Sequence, residues 1–199
     1  MDTIHSAPAL DGRNPLFFID PVLHTGRPAD PAGRLPREMR TYGFLDQLGI
    51  PYIRMDHSPT ATIEDCHDIG KRLGIEICKN LFLCNAQKTK FYLLMMPGSK
   101  KFRTSALSRQ IGSTRLSFAD AGHMEALLGV APGSVSVLGL MNDHSNQVQL
   151  LIDQPVIDRH EYIGCHPCIN TSSLKLLTTD LLEKFLPAVH HPYILVNLP

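Results

Sequence analysis

Two apolar runs constrain the fold more than anything else in this chain. Asn80-Leu81-Phe82-Leu83-Cys84-Asn85 and Phe91-Tyr92-Leu93-Leu94-Met95-Met96 are separated only by the polar stretch Ala86-Gln87-Lys88-Thr89-Lys90. Short apolar runs joined by a polar link predict a β-hairpin. Neither run alternates apolar with polar residues, so neither face of the hairpin suits water, and both strands are expected to be largely buried.

The rest of the chain supplies the cover. From Pro36 the pattern is helical, with Met39, Tyr42, Leu45 and Leu48 on one face and Gly49 at the stop. Pro51 to Met55 reads as a strand. Thr62 is the expected cap of a helix whose inner face carries Ile63, Cys66, Ile69, Gly70 and Leu73, ending at Gly74. Beyond the hairpin, Thr104 or Ser105 caps a helix that runs to about Ile111. A short strand spans Arg115 to Phe118, and Ala119 to Leu128 forms another helix. Pro132-Gly133-Ser134-Val135 is a tight turn. Val135 to Leu140 and Gln147 to Asp153 are expected as strands, as are Leu174 to Leu177 and Tyr193 to Val196. A last helix lies between Thr179 and Leu186. The predicted class is α/β in the α+β sense: a curved, mixed, mostly antiparallel sheet or barrel with helices packed outside.

Residues 1–36 differ. Six prolines and three glycines punctuate them, so long regular elements are not expected there. They are read as an N-terminal extension to a domain spanning 37–199. The patch Leu16-Phe17-Phe18-Ile19 would anchor it to the domain, or serve as a lid or a dimer contact.

Composition excludes several function classes. The formal net charge is zero, against a general polyanion binder, although a local basic patch for one RNA end remains open. Five cysteines, an odd number in a chain that needs no staples, point to a reduced, cytoplasmic protein. No apolar run is long enough for a membrane span. No GxGxxG or GxxxxGK[ST] motif supports a nucleotide site.

The chemistry-bearing residues concentrate in Gly164-Cys165-His166-Pro167-Cys168-Ile169-Asn170-Thr171. Cys165 and Cys168 have the spacing of half a zinc site, but a second pair at suitable spacing is missing. Cys165 and His166, as neighbours on extended chain, point to opposite sides and make a poor nucleophile–base pair. Lys79, at the start of the first hairpin strand, is either a lysine with its ammonium in water or a fixed cation aimed into a cleft. The expectation is that these two distant stretches meet around a small substrate.

The order Lys79-Asn80-Leu81-Phe82-Leu83, Arg115-Leu116-Ser117-Phe118-Ala119, Leu128-Gly129-Val130-x-Pro132-Gly133-Ser134-Val135, Gly139-Leu140-x-Asn142-Asp143, Gly164-x-His166-Pro167 and Asn170-Thr171 resembles the YbaK/prolyl-tRNA synthetase-associated editing domain family. The similarity covers roughly Met39 to Pro199 and is greatest to its free-standing branch. The resemblance implies a curved mixed sheet flanked by helices, and hydrolysis of a mischarged aminoacyl-tRNA ester, Ala-tRNA(Pro) first, with no metal or organic cofactor. It also implies Lys79 and His166 as the working residues, with Asn80, Pro132, Gly133, Ser134, Gly164, Cys165 and Asn170 around the substrate. Cys165 departs from the larger, often aromatic residue of relatives, so its direction, pocket or core, bears on specificity. The alternatives are another substrate (Cys-tRNA(Pro) or a Ser/Thr-type tRNA) and a non-catalytic tRNA- or synthetase-binding regulator. Lys100, Lys101, Arg103 and Arg109 are the best basic patch for a tRNA stem, or else a solvated helix entry. The resemblance leaves prolyl-tRNA synthetase, an elongation factor or a second copy of the chain as candidate protein partners.

Overall fold

The computed structural model describes residues 17–60 and 63–199. The expected hairpin is present as β3 (Lys79–Asn85) and β4 (Phe91–Met96), after β1 (His24–Thr25), α1 (Pro36–Gln47), β2 (Tyr52–Asp56) and α2 (Ile63–Leu73). It is followed by α3 (Thr104–Gln110), β5 (Leu116–Phe118) and α4 (Ala121–His123), the last running on into a wide turn over Met124–Leu128. Then come a tight helical segment at Val137–Asn142, β6 (Val148–Asp153), α5 (Gln154–Arg159), β7 (Tyr162–Cys165) and β8 (Ser172–Leu177). A helical stretch from Thr178 to Ala188 and β9 (Tyr193–Val196) close the chain.

The strands form two sheets rather than one, and their order does not close into a barrel. A five-stranded mixed sheet has the order β5-β3-β4-β6-β9, and an antiparallel four-stranded sheet has the order β1-β2-β8-β7. In the larger sheet β4 and β6 run parallel, as do β6 and β9, while β3 pairs antiparallel with both its neighbours.

Alternation explains why the hairpin is apolar throughout. Phe82, Cys84, Phe91, Leu93, Met95, Leu150 and Ile152 project into the main core. Leu83, Tyr92, Leu94, Met96 and Leu151 project the other way, into a second core shared with Ala106 and Leu107 of α3 and with Val196 and Leu198. Every residue of β4 is buried. The smaller sheet shares the main core through Tyr52, Ile163, Cys165, Leu174 and Leu176, capped by Tyr42 and Leu45 of α1. Its opposite face packs on α2 through Met55, Ile69 and Leu73.

Several local expectations are corrected. Val135 to Leu140 is not a strand: the Ser136 hydroxyl accepts from Leu138 N at 3.2 Å, and the segment tightens into a helical turn. Gly139 sits where an added Cβ would lie 3.1 Å from Leu128 O, so this apolar run is packed on all sides instead of paired in a sheet. The cap of α3 is Arg103, with no side-chain hydrogen bond, rather than Thr104 or Ser105. Helix α5, entered through Pro155 in its first turn, was not expected. Thr62 and Leu16 lie outside the described residues.

The described part of the N-terminal segment docks on the smaller sheet. Ile19 bridges His57, and β1 adds an edge strand to β2. Phe17 packs with Ile19 over the third cluster, whereas Phe18 is exposed. Arg34 then forks onto Asp56 at 3.1 and 2.5 Å and reaches the buried Glu38 at 2.9 Å. No helix among the described residues is long and apolar enough to cross a membrane.

Candidate active site

The two distant stretches of interest meet through one glycine. Ile77 forms a parallel bridge with Gly164, and Cys78 N donates to Gly164 O at 3.2 Å. A Cβ at Gly164 would lie 2.5 Å from Ile77 Cδ1 and 3.2 Å from Ile77 Cα. A side chain here would press on the tips of Ile75 and Ile77 and on the Ile77 backbone. Two residues further along each chain stand Lys79 and His166, so the bridge sets the cation and the imidazole on neighbouring segments.

Register decides which side chains face the site. Met55 pairs with Ser173, and Leu174 with Cys165. Alternation therefore puts Ser173, Gly164 and His166 on the face toward α2, together with His57 just past β2. Cys165 falls on the opposite face, in the main core, at 1% exposure. This corrects its assignment to the substrate pocket. Burial pushes its thiol far above the ordinary range, as it pushes Cys78 up to about 12 and Cys168 up to about 11. Such thiols are packing groups rather than nucleophiles. Among the described residues no three His, Cys, Asp or Glu side chains are grouped to hold a metal.

Lys79 is half-buried and its ammonium donates to Lys100 O at 2.9 Å. That bond uses one of three N–H donors and fixes the head group. Lys100 itself is committed: its Nζ lies 2.8 Å from Asp153 Oδ2, and Asp153 is fully buried. Lys100 is thus a structural partner of Lys79 rather than a free phosphate ligand, while Lys101, Arg103 and Arg109 stay exposed. Beside Lys79, Asn80 Nδ2 donates weakly to Cys78 O at 3.4 Å. Asn80 Oδ1 is buried with no hydrogen-bond partner among the described residues. A buried, unsatisfied acceptor is costly and marks a place where a ligand donor would be welcome.

The loop after β7 is held from three sides. Ser136 Oγ donates to His166 O at 2.6 Å. His166 Nδ1 lies 2.9 Å from Ser172 O, and Thr60 N donates to Asn170 O at 3.3 Å. The turn at Pro132-Gly133-Ser134 reaches the same loop: a Cβ on Gly133 would sit 3.3 Å from Asn170 Nδ2. Gly133 has φ +83°, a left-handed conformation that glycine adopts freely. Ser134 is buried, while Pro132 and Gly133 are exposed.

Sequence reasoning missed three groups in this cluster. Ser136 is one. The others are His57, buried with Nδ1 at 2.8 Å from Ser58 O and Nε2 at 3.0 Å from Ser173 Oγ, and Ser173 itself. His57 directly precedes Ser58-Pro59 at a strand end, a weak signal that only the pairing with a strand more than a hundred residues away makes meaningful. Burial lowers the His57 pKa to about 4 and lowers that of His166 as well. Both rings are therefore neutral near pH 7.

The chain is similar to known proteins over the region that holds these residues. The model of the aminoacyl-tRNA editing domain matches residues 57–184. The chain is 34% identical over 144 residues to the prolyl-tRNA editing protein ProX of Acetoanaerobium sticklandii, covering 72% of this chain and 87% of that protein. It is 28% identical over 153 residues to prolyl-tRNA synthetase associated domain-containing protein 1 of Danio rerio, covering 76% and 83%. The fold is also that of a crystal structure described as a candidate trans-editing enzyme for prolyl tRNA synthetase, at TM-score 0.59 and 16% identity over 82% of this chain and 97% of the other. The bridged Lys79 and His166 segments and the matched region coincide, and the chain belongs to the aminoacyl-tRNA editing domain family, as a deacylase that hydrolyses mischarged aminoacyl-tRNA.

Proposed function

We propose that this deacylase removes alanine from tRNA(Pro), in trans, with Lys79 and His166 at the reacting ester. The site assignment is supported by the Gly164 contact, which brings the segment that carries Lys79 against the segment that carries the neutral His166. An aminoacyl ester is already activated, so positioning and charge stabilisation suffice. Water oxygen bonds to the ester carbonyl carbon, and the water proton passes to His166 Nε2. Lys79 keeps two N–H donors for the oxyanion that develops. The carbonyl–ribose C–O bond then breaks, and the proton goes to the departing ribose oxygen. The products are free alanine and tRNA with its 3′ hydroxyl restored.

Asn80 Oδ1, buried and unpartnered, is suited to accept from the amino group of the alanyl moiety. In this reading the Gly133 turn and Asn170, which approach each other, lie with Pro132, Ser134 and Gly164 on the other side of the substrate, and a small site there would exclude proline by size. Such a second site has a physical rationale, because a synthetase discriminates a missing methylene by only about 1–3 kcal/mol. Lys101, Arg103 and Arg109, exposed around the start and end of α3, take phosphates of the acceptor stem. In this reading the protein works in the cytoplasm, and prolyl-tRNA synthetase and an elongation factor are the upstream carriers of its substrate. A homodimer through the exposed Phe18 edge belongs to the same proposal.

Deacylation of tRNA(Pro) charged with alanine, proline and cysteine tests the substrate. Alanine is expected to be released fastest and proline spared. Rapid release of proline, or preference for cysteine, overturns the assignment.

A further inference from the structure

We propose that His57 is a positioning residue: it captures the Ser173 hydroxyl and so keeps it from competing with the Ser172 carbonyl, which holds His166 in the tautomer protonated on Nδ1 and leaves Nε2 bare. The inference rests on the role given to His166 above, and it follows from which atoms can only accept a hydrogen bond.

Carbonyl oxygens accept and never donate. Ser58 O lies 2.8 Å from His57 Nδ1, so that nitrogen carries a hydrogen. The His57 ring is buried and faces Asp56, Asp65 and His166, and burial outweighs the charges of the two carboxylates. A neutral ring protonated on Nδ1 has a lone pair on Nε2. Ser173 Oγ, 3.0 Å away, must then donate to it.

That spends the only proton of Ser173. Toward His166 Nδ1, 3.5 Å away, the hydroxyl presents lone pairs alone. Ser172 O, at 2.9 Å from the same nitrogen, also only accepts. Both groups therefore require hydrogen on His166 Nδ1. Among the described residues no protein group bonds to His166 Nε2, so the atom left bare is the one open to a substrate water.

Ser173 is ambivalent without His57. A hydroxyl released from that acceptor can rotate and donate to His166 Nδ1, which favours the opposite tautomer and puts the proton on Nε2. His57 makes the hydroxyl one-directional. This is the arrangement by which a histidine's second nitrogen is fixed by its hydrogen-bond partner. Here the partner is itself oriented by a second histidine, with the two ring centres 6.1 Å apart.

The test uses the full chain labelled with nitrogen-15 in histidine, with imidazole nitrogen spectra recorded at neutral pH beside steady-state deacylation. Wild type is expected to show both His57 and His166 protonated on Nδ1. His57→Leu is expected to give a tautomer mixture at His166 and to lower kcat roughly tenfold with KM unchanged, a fraction of what a positioned base contributes. Adding Ser173→Ala to His57→Leu removes the misdirected hydroxyl and is expected to restore both the tautomer and kcat. A merely structural role for His57 predicts no such rescue. His57→Met replaces His57→Leu if the latter does not fold. Wild-type His166 protonated on Nε2, an unchanged tautomer in the His57 variant, or a double variant no better than the single one overturns the proposal. Full turnover in His166→Ala would instead remove the role of His166 while leaving the spectra to judge the lock.

Discussion

The five-stranded sheet and the four-stranded sheet do different work. The middle strand of the five-stranded sheet is apolar and covered on both faces: Leu93, Leu94, Met95 and Met96 are all fully buried. The four-stranded sheet buries more polar groups. Arg54, His57, Ser172 and Ser173 are each under 5% exposed, and each has a partner. A polar group removed from water costs free energy unless it is bonded, so each of these groups restricts which partners the fold admits. The larger sheet supplies stability; the smaller one trades some of it for orientation. Lys79 stands at the junction, the first residue of a strand in the larger sheet, delivered to the smaller one by Ile77 and Gly164.

Substitutions on either side of that division should separate. Lys79→Ala is expected to cost about 10²- to 10³-fold in kcat, the range for removing a transition-state donor, with an unchanged thermal midpoint. Full activity in that variant would break the site assignment. Leu93→Ala, in the larger sheet, should cost about 2–5 kcal/mol in denaturant unfolding while the folded fraction keeps its turnover. A loss of kcat per folded molecule would mean that the sheets are not separable in this way.

Acid sharpens the contrast. His57 has a folded pKa of about 4, below the unfolded value near 6.5, so the unfolded chain binds the extra proton first. Stability should therefore fall as pH drops through the window from about 6.5 to about 4, by at most about 1.4 kcal/mol per pH unit for one such group. Asp56 does not oppose this: burial favours its neutral form, but Arg34 and Arg54 outweigh burial and hold it below the ordinary carboxylate range, so its contribution is lost only at still lower pH. His57→Leu should flatten the slope in that window, which urea titrations at several pH values would reveal. An unaltered slope would assign the acid sensitivity elsewhere. The smallest effect is expected for Gly164→Ala, about 1–3 kcal/mol from overpacking against Ile77, with a fall in kcat because Lys79 and His166 are pushed apart. Loss of stability without loss of kcat would show that the close approach is not what aligns them.

Much of this was legible in the chain. The hairpin, α1, β2, β8 and β9 follow from local apolar patterns, because burial on one or two faces imposes periods that neighbouring residues reveal. Lys79 and the Gly164 to Asn170 loop could be singled out by residue type and order. The Val137–Asn142 segment could not be placed. A short apolar run carries no period that separates a strand from a tight helix, and the close contact of Gly139 with Leu128 decides it. Nor could the direction of Cys165 be read, since one step of register exchanges core for site. Only its pairing with Leu174 puts the thiol inward and His166 outward.

The sequence by itself determined which segments are apolar, where the turns fall and which residues carry ionisable or hydrogen-bonding groups. Those properties reside in single residues and their near neighbours. The tertiary structure alone decided which of those groups meet. His57 and Ser173 are 116 positions apart, and Lys79 and Lys100 are 21. Their contacts exist because β2 pairs with β8 and because Gly164 leaves room for Ile77. Tautomers and the neutrality of the two histidines follow from that burial and those partners, which no local stretch of the chain contains.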